Sequence, residues 1–122
     1  ADNFLNKTLT RIILQPRQNN ILRVESVMVY PNPVNSQAHF CFLLTQPAKV
    51  NIKIFTINGK LVRDLGKINC HFGYNQIAWD GRDQNGIPLP NGIYLFTLTA
   101  EGYRTSTELQ RVTIRDKLMV LR

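Results

Sequence analysis

An all-β fold, with two antiparallel sheets packed face to face, follows from three features of this chain. Apolar and polar residues alternate at a period of two through several stretches, as strands with one buried face require. Gly, Pro, Asn and Asp cluster as turn signals about every ten residues, the spacing of short strands in a sandwich. No stretch repeats its apolar residues convincingly at the period of a helix. A chain of 122 residues with 43% hydrophobic content can bury one core. The expectation is a single compact unit of about seven to eight antiparallel strands.

Residues 9–14 and 21–30, rich in aliphatic and β-branched side chains, form the first two extended segments, with the polar stretch 15–20 between them. Tyr30-Pro31-Asn32-Pro33 ends the second segment, because two prolines with fixed φ and no N–H donor make a stiff, extended lead-in. In the next strand Ala38, Phe40, Phe42 and Leu44 share one face, with His39, Cys41 and Leu43 on the other. Both faces are apolar enough to place this strand centrally. Gln46-Pro47 ends it.

The clearest alternation follows. Val50, Ile52, Ile54 and Thr56 point to the core, and Lys49, Asn51, Lys53 and Phe55 point away. Asn58-Gly59 supplies two residues that accept positive φ, which predicts a type I′ hairpin into Lys60-Leu61-Val62-Arg63. Residues 75–79 are another strand, with Ile77 and Trp79 on one side, and Trp79 is the candidate centre of the core. From Asp80 to Gly92 the density of Asp, Asn, Gly and Pro demands a structured loop in which Asp80, Gly81, Asp83 and Gly86 make turns. Tyr94, Phe96 and Leu98 restore the alternation, and Gly102 marks the following turn. Residues 108–121 return as one strand or two short ones.

Fifteen Lys plus Arg against eight Asp plus Glu give a formal charge of +7, favourable for phosphates, anionic lipid or acidic polysaccharide. The cations fall singly among apolar positions. No basic run alternates with aromatics, which argues against a nucleic-acid partner. No apolar run is long enough for a transmembrane segment. The chain opens on Ala1 and not Met, without a signal peptide, and is expected to be a piece of something longer. Cys41 sits in an apolar run as a buried thiol, and Cys70, beside His71, sits in a loop. A disulfide between them stays open at this point.

The residues point away from catalysis. His39 lies mid-strand and His71 near Gly73, with no Gly-x-Ser-x-Gly elbow around any serine. Cys41, Cys70, His39 and His71 lack the paired spacing of a zinc site. The stretch from Asp80 to Gly86 has the oxygen ligands of a calcium loop but not the D-x-D-x-D-G order, so a structural turn is expected. Neither a metal nor a cofactor is expected.

An ordered set of motifs carries a resemblance. Tyr30-Pro31-Asn32-Pro33, the strand from Val50 to Phe55, Asn58-Gly59, Trp79-Asp80-Gly81-Arg82-Asp83, Asn85-Gly86 and Asn91-Gly92-Ile93-Tyr94 resemble the C-terminal sorting domain of cargo exported by the bacterial type IX secretion system. The closing Lys117-Leu118-Met119-Val120-Leu121-Arg122 resembles the end of those proteins. The resemblance covers residues 27–122 and implies an immunoglobulin-like β-sandwich without catalytic function. It also implies translocon and sortase partners, and passage through the periplasm and outer membrane to the cell surface. Residues 117–122 are then the expected recognition strand, open to β-strand addition.

Residues 1–26, with Asn3, Asn6 and Thr8, resemble the join to a preceding β domain or a linker strand in gingipain-like cysteine peptidases. The upstream cargo domain would then belong to the same polypeptide. The Trp79 to Asp83 core also resembles the immunoglobulin-like domain of the flagellar hook-capping protein, which implies a structural assembly role instead.

Overall fold

A computed structural model describes residues 21–103 and 105–122, which form seven strands and, among them, no helix. In chain order the strands are β1 Val24–Tyr30, β2 Ala38–Leu44, β3 Ala48–Thr56, β4 Leu61–Cys70, β5 Gly73–Trp79, β6 Gly92–Tyr103 and β7 Leu109–Val120. All strand pairings are antiparallel. One sheet has the order β1-β2-β5, and the other β4-β3-β6-β7. The expected immunoglobulin-like sandwich is present, and β2 is central in its sheet. The segment expected over 9–14 lies outside the described residues.

Alternation builds the core. Ala38, Phe40, Phe42 and Leu44 of β2 face Val50, Ile52 and Ile54 of β3 and Tyr94, Phe96, Leu98 and Ala100 of β6, all buried in one cluster. Phe40 joins the two sheets, with its ring 5.1 Å from Phe96 and 6.0 Å from Trp79. Trp79 is 2% exposed, and its indole N–H donates to the Arg82 carbonyl at 3.1 Å, so burial leaves no orphaned donor. Each large side chain buried here stabilises the fold by about 1.5–3 kcal/mol relative to exposure.

Four expectations are corrected. The hairpin after β3 is not type I′: among the described residues only Ser26 and glycines have positive φ, and Asn58 does not. Instead Gly59 N–H donates to Thr56 O, Thr56 N–H donates to Lys60 O, and Gly59 takes φ +90°. That is a three-residue loop with one left-handed glycine, as in a type I turn closed by a bulge. Cys70 is not in a loop but ends β4, which pairs with β3 along its whole length.

Gly102 is no turn. It pairs with Gln110 inside the β6–β7 ladder, and a Cβ there would lie 2.7 Å from Gln46 Nε2. The lead-in is bent and not extended: residues 31–36 form bends around an isolated bridge at Val34, and both X–Pro bonds are cis. Residues 109–120 form one continuous strand.

Candidate recognition surface

The motif residues, up to 92 positions apart in sequence, meet at one end of the sandwich. β7 pairs with β6 so that Leu118 lies opposite Tyr94 and Val120 opposite Gly92. Tyr94 in turn pairs with Thr56, which puts the Asn58-Gly59 tip at the same end. The lead-in crosses there too. Val34 N–H donates to Met119 O at 2.7 Å, and Leu121 N–H donates to Val34 O at 2.8 Å. The Asn32 side chain accepts from Met119 N–H at 3.0 Å.

This arrangement changes the reading of residues 117–122. Leu118 is 1% exposed and Val120 fully buried, so both are core. The outward edge from Met119 to Leu121 is already filled by Val34 and Asn32, and Asp116 Oδ1 accepts from Lys117 N–H. β-strand addition by a partner therefore has no free backbone at Met119 and Leu121. What this segment offers outward is side chains: Lys117, Met119 and Leu121 are exposed. A groove of about 440 Å³ lies between Asn32 and Pro33 on one side and Ile93, Lys117 and Met119 on the other.

Arg122 closes the cluster. Its Nε donates to Leu89 O at 3.0 Å, Nη1 to Asn35 O at 2.9 Å and Nη2 to Gly81 O at 2.7 Å, and its amide donates to Asn91 Oδ1 at 2.8 Å. The guanidinium fork suits three converging carbonyls better than any other side chain would. Gly81, at φ +72°, permits the approach: a Cβ there would stand 2.7 Å from Ser36 O and 3.2 Å from Arg122 Nη2.

The loop from Asp80 to Gly92 is rigid for local reasons. Asp83 Oδ1 accepts from the amides of Asn85 and Ile87. Gly86 takes φ +83° at the tip. Asp80 Oδ1 bonds Arg63 Nη1 at 2.8 Å and the Arg82 amide at 3.1 Å. Desolvation pushes the Asp80 carboxyl up, but Arg63 and the Arg82 amide outweigh it and hold the group below its ordinary value. Tyr94 donates to Pro90 O at 2.7 Å, and desolvation raises its phenol against the opposing Arg122 charge.

Both carboxylates of the former calcium-like stretch thus have internal partners, and among the described residues no group of three or more His, Cys, Asp or Glu is placed to hold a metal ion. Tyr30 stands exposed at the rim. The arrangement fixes a shape and displays a surface.

Several contributors were not legible in sequence. Asn35, Ser36 and Leu89 act through backbone carbonyls, which leave no signature in residue type. Asn91 and Arg63 sit inside the quoted motifs, and their polar heads were the available signal. No described helix is long and apolar enough to cross a membrane.

Comparison with known proteins adds four findings. A family model described as the FlgD Ig-like domain matches residues 34–103. The basal-body rod modification protein FlgD of Salmonella typhimurium is 35% identical over 78 residues, 63% of this chain and 34% of that protein. The chain spans about a third of the length of the curated relatives it matches. Dimeric latent PorU from Porphyromonas gingivalis superposes with a TM-score of 0.64 and 22% identity over 89% of this chain and 10% of that one. Truncated FlgD from Helicobacter pylori superposes with a TM-score of 0.50 and 20% identity over 79% of this chain and 67% of that one. The two superpositions are likenesses of fold.

Proposed function

Since this chain belongs to the FlgD Ig-like domain family, we propose that it is a non-catalytic sorting module that directs a cargo protein through the type IX translocon to the cell surface. The supporting observation is the convergence of Tyr30 to Pro33, Trp79 to Asp83, Asn91 to Tyr94 and Lys117 to Arg122 on one end, where the closing residues are fastened and not loose. A translocon or sortase reads the side chains of Lys117, Met119 and Leu121 beside the groove at Asn32 and Pro33. Residues 1–26 are the join to an upstream cargo domain, a gingipain-like peptidase in the resemblance above.

The test is export of a periplasmic reporter fused to this chain in a type IX-competent bacterium. Deleting residues 117–122 would remove core side chains, so the informative variant is Lys117→Glu with Leu121→Asp, which alters exposed positions only. Export of the parent fusion and periplasmic retention of the folded variant is the expected result. Retention of both would sink the reading, and export of both would overturn the assignment of recognition to Lys117 and Leu121.

The 35% identity to FlgD favours a second reading, a structural assembly module like that of the hook-capping protein. That reading expects self-association or binding to a filament protein. A strict monomer with no filament binding by light scattering and co-sedimentation weighs against it.

A further inference from the structure

Cations that are scattered in sequence are gathered by the sheet. The ladder of β4-β3-β6-β7 aligns its outward residues in rows: Lys53 with Thr97 and Arg115, Asn51 with Thr99 and Thr113, Lys49 with Glu101 and Arg111, and Phe55 with Leu95 and Lys117. Lys67 lies opposite Asn51 from β4. Strand spacing makes this face roughly 20 by 15 Å, with Lys49 and Lys53 roughly 13 Å apart along β3 and Lys53 and Arg115 roughly 10 Å apart across the sheet.

Six cations thus face two carboxylates, and both carboxylates are already committed. Glu101 accepts from Arg111, at 2.8 Å from Nε and 2.6 Å from Nη2. Asp64 accepts from Asn51 Nδ2 and from the Gly66 amide, each at 2.8 Å. Among the described residues no carboxylate lies within ion-pair distance of Lys49, Lys53, Lys67, Arg115 or Lys117. These long side chains surround a floor of short hydrogen-bonding ones, Asn51, Thr97, Thr99 and Thr113, in a depression of about 350 Å³.

We infer that this face is a docking surface for an acidic polysaccharide. A single small anion gains little from one exposed cation, whereas a chain carrying repeated acid groups engages several at once. Its neutral hydroxyls match the Thr and Asn floor. The alternatives fit less well. A protein interface centres on aromatic anchors and is depleted of Lys, a single-stranded nucleic acid needs exposed aromatic platforms, and an anionic membrane needs projecting apolar side chains. Within these rows the aromatic and aliphatic side chains are confined to one end, where Phe55 is half-buried and Leu95 exposed. The exposed Tyr103 lies beyond the Lys49–Glu101–Arg111 row at the other end, so the centre of the face is polar.

The test uses the whole chain, titrated with polygalacturonate and dextran sulfate, with neutral dextran as control, at low and raised salt. Binding to both acidic polymers is expected, weakened by salt and about fivefold by either Lys53→Gln or Arg115→Gln. Lys53→Arg should keep it. Arg23→Gln, just before β1 of the other sheet, should change it less than about twofold, and melting curves establish that each variant is folded. Three results would overturn the inference: no binding to either polymer, equal weakening by Arg23→Gln, or tighter binding to phosphatidylglycerol vesicles or single-stranded DNA.

Discussion

The Arg122 guanidinium bonds three carbonyls from two loops, that of Asn35 before β2 and those of Gly81 and Leu89 between β5 and β6. Arg122→Ala therefore leaves three partly shielded acceptors without their donor and should cost about 1–3 kcal/mol in urea unfolding. Arg122→Lys should recover only part, because an ammonium is a point charge and not a fork. Gly81→Ala should cost roughly 2 kcal/mol or more, since its φ of +72° is strained for alanine and its Cβ would meet Ser36 O at 2.7 Å. An undiminished midpoint in either variant would refute the role given to this junction.

Asp64 and Asp80 contribute to the acid limit of stability, alongside Glu101, whose carboxyl the Arg111 hydrogen bond also holds below its ordinary value. Asn51 and the Gly66 amide hold Asp64 below its ordinary 3.8, against desolvation and with help from Lys53. Asp80 is held down despite desolvation, as described above. A depressed folded value contributes stability that is fully present above the unfolded value and lost as pH falls through the folded one. Stability should decline below about pH 4, and Asp64→Asn or Asp80→Asn should flatten that decline in pH-dependent thermal melts.

Among the elements, β7 is the one whose role changes most on seeing the fold. Its last residues read from sequence as a recognition strand, yet Leu118 and Val120 are core and the outward edge at Met119 is taken by Val34. Removing residues 117–122 should abolish the cooperative thermal transition, because it opens the core and strips one side of the lead-in. A truncated chain with an unchanged melting midpoint would contradict this.

The strands themselves were legible because a period of two is a local property. Val50, Ile52 and Ile54 face the core as their alternation requires. The hairpin type was not legible, since Asn58-Gly59 suits both a two-residue and a three-residue loop, and bonding between Thr56 and Lys60 decided it. Gly102 misled for a related reason. A glycine marks either a turn or a close approach, and only the neighbouring Gln46 and Pro47 distinguish them.

For the whole molecule, the two sheets separate Cys41 on β2 from Cys70 on β4, and both are free. Cys41 is buried, and burial pushes the Cys70 thiol above its ordinary value. Both thiols should titrate in denaturant without reductant, and both should react slowly with a thiol reagent in the native protein near neutral pH. Recovery of fewer than two thiols after unfolding would show a bridge that this fold does not contain.

Sequence alone determined the fold class, the central strand, Trp79 in the core and the order of the motifs. Each depends on alternation and turn chemistry within about ten residues along the chain. Only the tertiary structure decided that Tyr30 to Pro33, Gly81, Asn91 and Arg122 share one junction, and that Lys53 and Arg115 share one face. The physical reason is that strand register and backbone carbonyl partners couple residues up to 87 positions apart, and residue type does not encode a bond to a carbonyl.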